Sequence, residues 1–96
     1  DQLKIRGFRI EPGEVESVLS AIPGIQRAAV IARTGVDGVR ELAAYLVLAP
    51  EASLSSSFLR AELSRRLPAF LVPEFFGAVD SLPLTANGKV DRGRLA

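Results

Sequence analysis

Short alternating segments and two helical stripes divide this 96-residue chain. Residues 3–10 alternate, with Leu3, Ile5 and the small Gly7 on one parity and Lys4, Arg6 and Phe8 on the other. Alternation of this kind predicts a short β-ribbon, with a kink or close approach at Gly7. Glu11-Pro12-Gly13-Glu14 opens a helix, since proline fits a first turn and acids there complement the helix dipole. Val15, Val18, Leu19 and Ile22 fall at i, i+3, i+4 and i+7, an amphipathic stripe that Pro23-Gly24 ends. Residues 25–33 and 39–49 are apolar and partly β-branched. With the turn Thr34-Gly35-Val36-Asp37-Gly38 between them they predict an antiparallel hairpin. Serines at 53–57 offer N-caps for a second helix marked by Phe58, Leu59 and Leu63, which ends at Leu67-Pro68. Residues 74–79 read as a third strand, and 91–95 as a last turn of helix. The expectation is one α+β domain: a small antiparallel sheet of about three strands packed with two helices, an N-terminal β-ribbon and a C-terminal lysine-bearing loop.

Composition narrows the chemistry. The chain has neither cysteine nor histidine. Disulfides, thiolate zinc sites, Ser-His triads and histidine metal sites are therefore outside its reach, and no metal site is expected. Twelve basic and eleven acidic side chains leave a net charge of +1, too little for a general pull toward nucleic acid or an anionic membrane. No apolar run reaches transmembrane length, so a soluble, cytoplasmic domain is expected.

Two polar segments remain as candidate sites. Leu84-Thr85-Ala86-Asn87-Gly88-Lys89-Val90-Asp91-Arg92 places one lysine on a turn that Asn87 and Gly88 shape, since both tolerate positive φ. Lys89 is then a solvated turn residue, or a cation held out toward a phosphate or carboxylate carried by something else. Lys4-Ile5-Arg6-Gly7-Phe8-Arg9 puts three cations around a glycine. Its charges suit a strand edge protected from pairing, or a surface that a slim ligand can approach. Glu11, Glu14 and Glu16 read as capping or solvating the first helix. Arg60, Glu62, Arg65 and Arg66 read as a solvated helix face, and Tyr45 as a packing residue. The chain holds no glycine-rich phosphate loop and no nucleophile–base pair, so a catalytic Lys89 requires most of its active site from elsewhere.

The segment running from Gln2 through Gly7 to Glu16 resembles the motif that opens the small C-terminal subdomain of adenylate-forming enzymes, in particular the amino-acid adenylation domains of nonribosomal peptide synthetases. Leu67-Pro68-Ala69-Phe70-Leu71-Val72-Pro73 resembles a Leu-Pro-x-Tyr-Met-Val-Pro segment of that family, with Phe70 and Leu71 as apolar replacements. Residues 82–92 resemble its terminal motif. The resemblance implies a mobile lid spanning residues 1–96. Its partners would be a large N-terminal subdomain, which binds ATP, Mg and the amino acid, and a carrier protein bearing phosphopantetheine. By this likeness Lys89 is the catalytic lysine that contacts the substrate carboxylate and the ATP α-phosphate. The loop Arg6-Gly7-Phe8-Arg9 faces the site after the lid rotates; Gly7 lines the thiol tunnel, and Lys4 and Arg9 make contacts in that second state. The family's hinge aspartate falls just before Asp1. An aryl- or acyl-acid ligase lid, and a free-standing interaction module using Lys4, Arg6, Arg9 and Lys89, are the other readings.

Overall fold

The computed structural model describes residues 2–95. Strands β1 (Leu3–Ile5) and β2 (Phe8–Ile10) form the expected ribbon, with Ile5 opposite Phe8 and Lys4 opposite Arg9. Helix α1 (Pro12–Ser20) starts on Pro12, whose missing N–H would be unpaired in the first turn anyway. Its stripe buries Val15 and Leu19, and Ile22 continues the apolar line just beyond the helix end. Strands β3 (Ile25–Thr34) and β4 (Arg40–Leu48) make the antiparallel hairpin. Helix α2 (Ser56–Ser64) is capped by Ser55, whose Oγ accepts from the Phe58 N–H at 3.1 Å. A 3₁₀ turn at Ala69–Leu71, not anticipated from the sequence, leads to β5 (Phe75–Ala78), and α3 (Arg92–Leu95) is a single turn.

The α+β class holds, but the sheet is not wholly antiparallel. Its order is β3-β4-β5, and β5 runs parallel to β4, with Ala43 opposite Phe75 and Leu46 opposite Ala78. Parallel neighbours need a long crossover. Residues 49–74, with α2 inside them, supply it by carrying the chain back to the starting end of β4.

Opposed residues in the register explain the core. Ala28 pairs with Leu46, Val30 with Ala44 and Ala32 with Leu42, and this face meets Val15 and Leu19 of α1 and Leu59 and Leu63 of α2. Ala29, Ile31 and Ala43 point to the other side and are buried too. Burial on both faces favours the small and β-branched side chains that fill the middle of β3. Ile5 and Ile10 join the same cluster, which fixes the ribbon to the domain body.

Candidate functional site

The two candidate segments fold as two separate hairpins. In the N-terminal one, Arg6 (φ 51°) and Gly7 (φ 83°) form the two-residue link between β1 and β2. Positive φ at both central residues is what the right-handed twist of a tight hairpin requires. Glycine takes this conformation without cost, whereas an arginine pays about 1–2 kcal/mol. A Cβ on Gly7 would meet nothing within 4 Å, so within this domain glycine is needed for backbone conformation and not for space. Lys4, Arg6, Gly7, Phe8 and Arg9 are all exposed. Lys4 and Arg9 lie directly opposite each other, a like-charge pair that is unfavourable until an anion approaches.

Two contacts hold the tip of this ribbon. Phe8 stacks on Phe70, with ring centroids 4.3 Å apart and planes within 10°. The Arg6 guanidinium lies 3.9 Å from Glu74, with both side chains more than half exposed, so this ion pair is weak. Between Phe8, Phe70, Val72, Glu41 and Glu74 lies a shallow cleft, open to solvent. Phe70, a packing replacement by its sequence, is therefore half of an exposed aromatic pair, and no local pattern announces it.

The C-terminal hairpin carries Lys89. Thr85 N–H donates to the Lys89 carbonyl at 2.7 Å and Gly88 N–H to the Thr85 carbonyl at 3.0 Å. The loop is Ala86-Asn87-Gly88, and Gly88 (φ 84°) takes the left-handed position that closes a three-residue hairpin. Asn87 is not among the residues at positive φ, so Gly88 alone supplies that conformation. One bridge, Leu84 to Val90, continues the pairing, and Asp91 N–H donates to the Pro83 carbonyl at 2.8 Å. Lys89 is exposed. Its side chain stands on the tip that Gly88 shapes.

Arg92, three residues on, faces inward. Its Nη1 donates to Glu16 Oε2 at 2.5 Å and to the Val30 carbonyl at 2.8 Å, and Nη2 donates to Glu16 Oε1 at 3.2 Å. Glu16 Oε2 also accepts from the Val30 N–H at 2.8 Å. Glu16 therefore does not merely solvate α1; it links α1, β3 and the C-terminal hairpin. The sequence holds a weak signal: Glu16 follows Val15 at the border of the apolar stripe, where a polar side chain can turn inward. Arg60 is likewise more than a solvated face, because it donates to the Glu74 carbonyl at 3.0 Å. Arg33 lies 4.0 Å above the Phe75 ring, and its hydrogen bond to Glu41 holds its pKa above the usual arginine value.

The structure gathers Lys4, Arg6, Gly7, Phe8 and Arg9 on one ribbon and sets Lys89 apart from them. The ribbon tip is tied to Glu74, which leads into β5, while the Lys89 hairpin is tied to Val30 of β3; β3 and β5 are the two edges of the sheet. Among the described residues no group of three or more Asp or Glu could hold a metal ion, and no helix is long and apolar enough to cross a membrane.

The AMP-binding enzyme C-terminal domain family matches residues 14–89, and the chain belongs to that family. It is the C-terminal subdomain of an adenylate-forming enzyme, of the kind found in nonribosomal peptide synthetases. It is 50% identical over 95 residues to a plipastatin synthase of Bacillus subtilis (strain 168), and 47% identical over 96 residues to tyrocidine synthase 3 of Brevibacillus parabrevis. These alignments cover 99% of this chain but 3% and 1% of the relatives, so the chain spans a small part of their length. Among solved structures, apo MatB from Rhodopseudomonas palustris superposes with a TM-score of 0.91 at 30% identity. The anthranilate CoA ligase AuaEII in complex with anthranoyl-AMP superposes with 0.88 at 32%. Each alignment covers 99% of this chain and 19% of the solved one.

Proposed function

We propose that this domain is the mobile lid of an amino-acid-activating enzyme, closing over a large subdomain that holds ATP, Mg and the amino acid. Lys89 is its catalytic residue. As the carboxylate attacks the α-phosphorus, negative charge builds between them, and a positioned ammonium in a dry cleft stabilises it. ATP supplies the adenylyl group and the pyrophosphate leaving group. The observation that carries the reading is the hairpin itself: Gly88 at φ 84° shapes a tip whose cation has no hydrogen bond or ion pair with any described side chain.

The second half-reaction passes the acyl group to a phosphopantetheine thiol on a carrier protein. For it, the lid turns and presents Arg6-Gly7-Phe8-Arg9. Gly7, with open space around its Cα, leaves room for a narrow pantetheine arm, and the opposed cations Lys4 and Arg9 gain most from a phosphate approaching them. Identities of 43–50% to peptide synthetases, against 27–32% to the solved structures, favour an amino acid over an aryl or acyl acid as substrate. Family membership favours the lid over a free-standing interaction module.

The test is amino-acid-dependent ATP–pyrophosphate exchange by the full chain that carries this domain, wild type against Lys89→Ala. Thiol loading from a pre-formed adenylate is scored in the same preparations. The expected outcome is a loss of exchange of about 10²–10³-fold, the size seen for removal of one charge-stabilising donor, with loading retained. Unchanged exchange would make Lys89 a solvated turn residue.

A further inference from the structure

The Lys89 hairpin is too short to hold itself. Beyond its loop it has one bridge, Leu84 to Val90, and two-stranded hairpins without a third strand or a packed face are marginal in water. No strand of either sheet pairs with it. Its two legs are fastened differently: Leu82 is buried at the entrance, and Arg92 leaves the exit to enter the Glu16–Val30 site.

That site is built for an arginine. The Arg92 fork reaches both oxygens of Glu16 and the Val30 carbonyl, and Glu16 returns a bond to the Val30 N–H, so both backbone groups of one β3 residue are engaged. The side chains of Arg92 and Glu16 are 25% and 18% exposed, which shields the pair from water and salt. A planar fork with fixed donors sets direction as well as distance; a lysine would keep the charge and lose the fork. The anchor sits three residues from Lys89 and is fixed to both α1 and β3.

We infer that Arg92, locked by Glu16 onto the Val30 backbone, is the positioning residue that sets where Lys89 stands relative to the lid body. The inference rests on the reading of Lys89 as the catalytic cation. A misplacement of about 1 Å can cost about 100-fold in rate, so a loose hairpin would depress adenylation while leaving the lid folded. Thiol loading, which does not use Lys89, would be spared.

The experiment compares Arg92→Ala, Arg92→Lys and Glu16→Gln with wild type and Lys89→Ala in the full chain. Amide hydrogen exchange over residues 84–91 is followed against that of β3 and β4. In Arg92→Ala the hairpin amides, among them Thr85 and Asp91, are expected to exchange about 10-fold faster or more while β4 amides are unchanged. The kcat of pyrophosphate exchange falls about 100-fold with KM values moving less than about 3-fold, and loading from a pre-formed adenylate stays within about 2-fold. Arg92→Lys and Glu16→Gln fall between. Unchanged hairpin amides in Arg92→Ala overturn the inference whatever Lys89 does. Joint loss of β4 protection and of both half-reactions overturns it as well, by showing a general folding role. Lys89→Ala with normal pyrophosphate exchange sinks only the catalytic reading; the amide comparison still decides the anchor.

Discussion

The molecule builds the same loop twice and uses it in opposite ways. At Val36-Asp37-Gly38 and at Ala86-Asn87-Gly88 a three-residue turn is closed by equivalent bonds. Gly35 N–H meets the Val39 carbonyl at 2.8 Å, and Thr85 N–H meets the Lys89 carbonyl at 2.7 Å. The last glycine is left-handed in both, at φ 80° and 84°, and a side-chain oxygen supports each turn, Asp37 at 3.0 Å and Thr85 at 3.3 Å. Only the legs differ. The first loop ends β3 and β4, paired from Thr34–Arg40 down to Ile25–Leu48; the second ends a stub with one bridge. Turn chemistry therefore fixes the shape of a tip, and the legs decide how firmly the tip is held. Val36 is fully exposed at the tip of the long-legged hairpin. Lys89, proposed above as the catalytic cation, stands on a hairpin that depends on fastenings outside itself.

Breaking a fastening gives the largest effect on this contrast. Leu82→Ala removes the buried side chain at the entrance to the Lys89 hairpin and is expected to cost about 2–3 kcal/mol, read by urea unfolding. A cost near zero would mean that the entrance leg is not held by burial. A smaller but sharper comparison sets Gly38→Ala beside Gly88→Ala. Both place a Cβ at positive φ, at an intrinsic cost of about 1 kcal/mol. At Gly38 that cost should appear in global stability, because its legs are the sheet. At Gly88 the global midpoint should scarcely move, while pyrophosphate exchange falls. Equal midpoint shifts would place both hairpins in one cooperative unit and end the contrast. The smallest effect is a calibration. Glu51 sits at φ 70° in the Pro50-Glu51 turn, and Glu51→Gly should stabilise the domain by about 0.5–1 kcal/mol, the same conformational cost with its sign reversed. A destabilised Glu51→Gly would show that the side chain repays its backbone.

Local signals in the sequence are legible because their causes are local. The Val15–Val18–Leu19–Ile22 spacing, Pro12 at a helix start and Gly88 at a turn each act within a few residues. The direction of β5 is not legible: a strand's own pattern carries no information about which way it runs beside β4, and the crossover of residues 49–74 decides it. Asn87-Gly88 is legible as a turn, though only the glycine takes positive φ. Glu16 and Arg92 lie 76 residues apart, and a single polar pair leaves no period to detect. The Phe8–Phe70 stack is hidden for the same reason, one aromatic on each of two distant segments. The role proposed for Lys89 rests on the resemblance of whole motifs; periodicity alone leaves it a solvated turn.

The grip of Glu16 and Arg92 on Val30 has a second consequence, for solubility. Strand β3 is an edge, and Ala28-Ala29-Val30-Ile31-Ala32 is an uninterrupted apolar run with the composition of an aggregation template. An intruding strand would need the outward N–H and C=O of Val30 at the middle of that run, and both are already taken by charged side chains. The ion pair thus leaves the middle of this edge without free backbone groups to template another strand, so the contact inferred to steady Lys89 would also oppose the addition of one copy's sheet to another's.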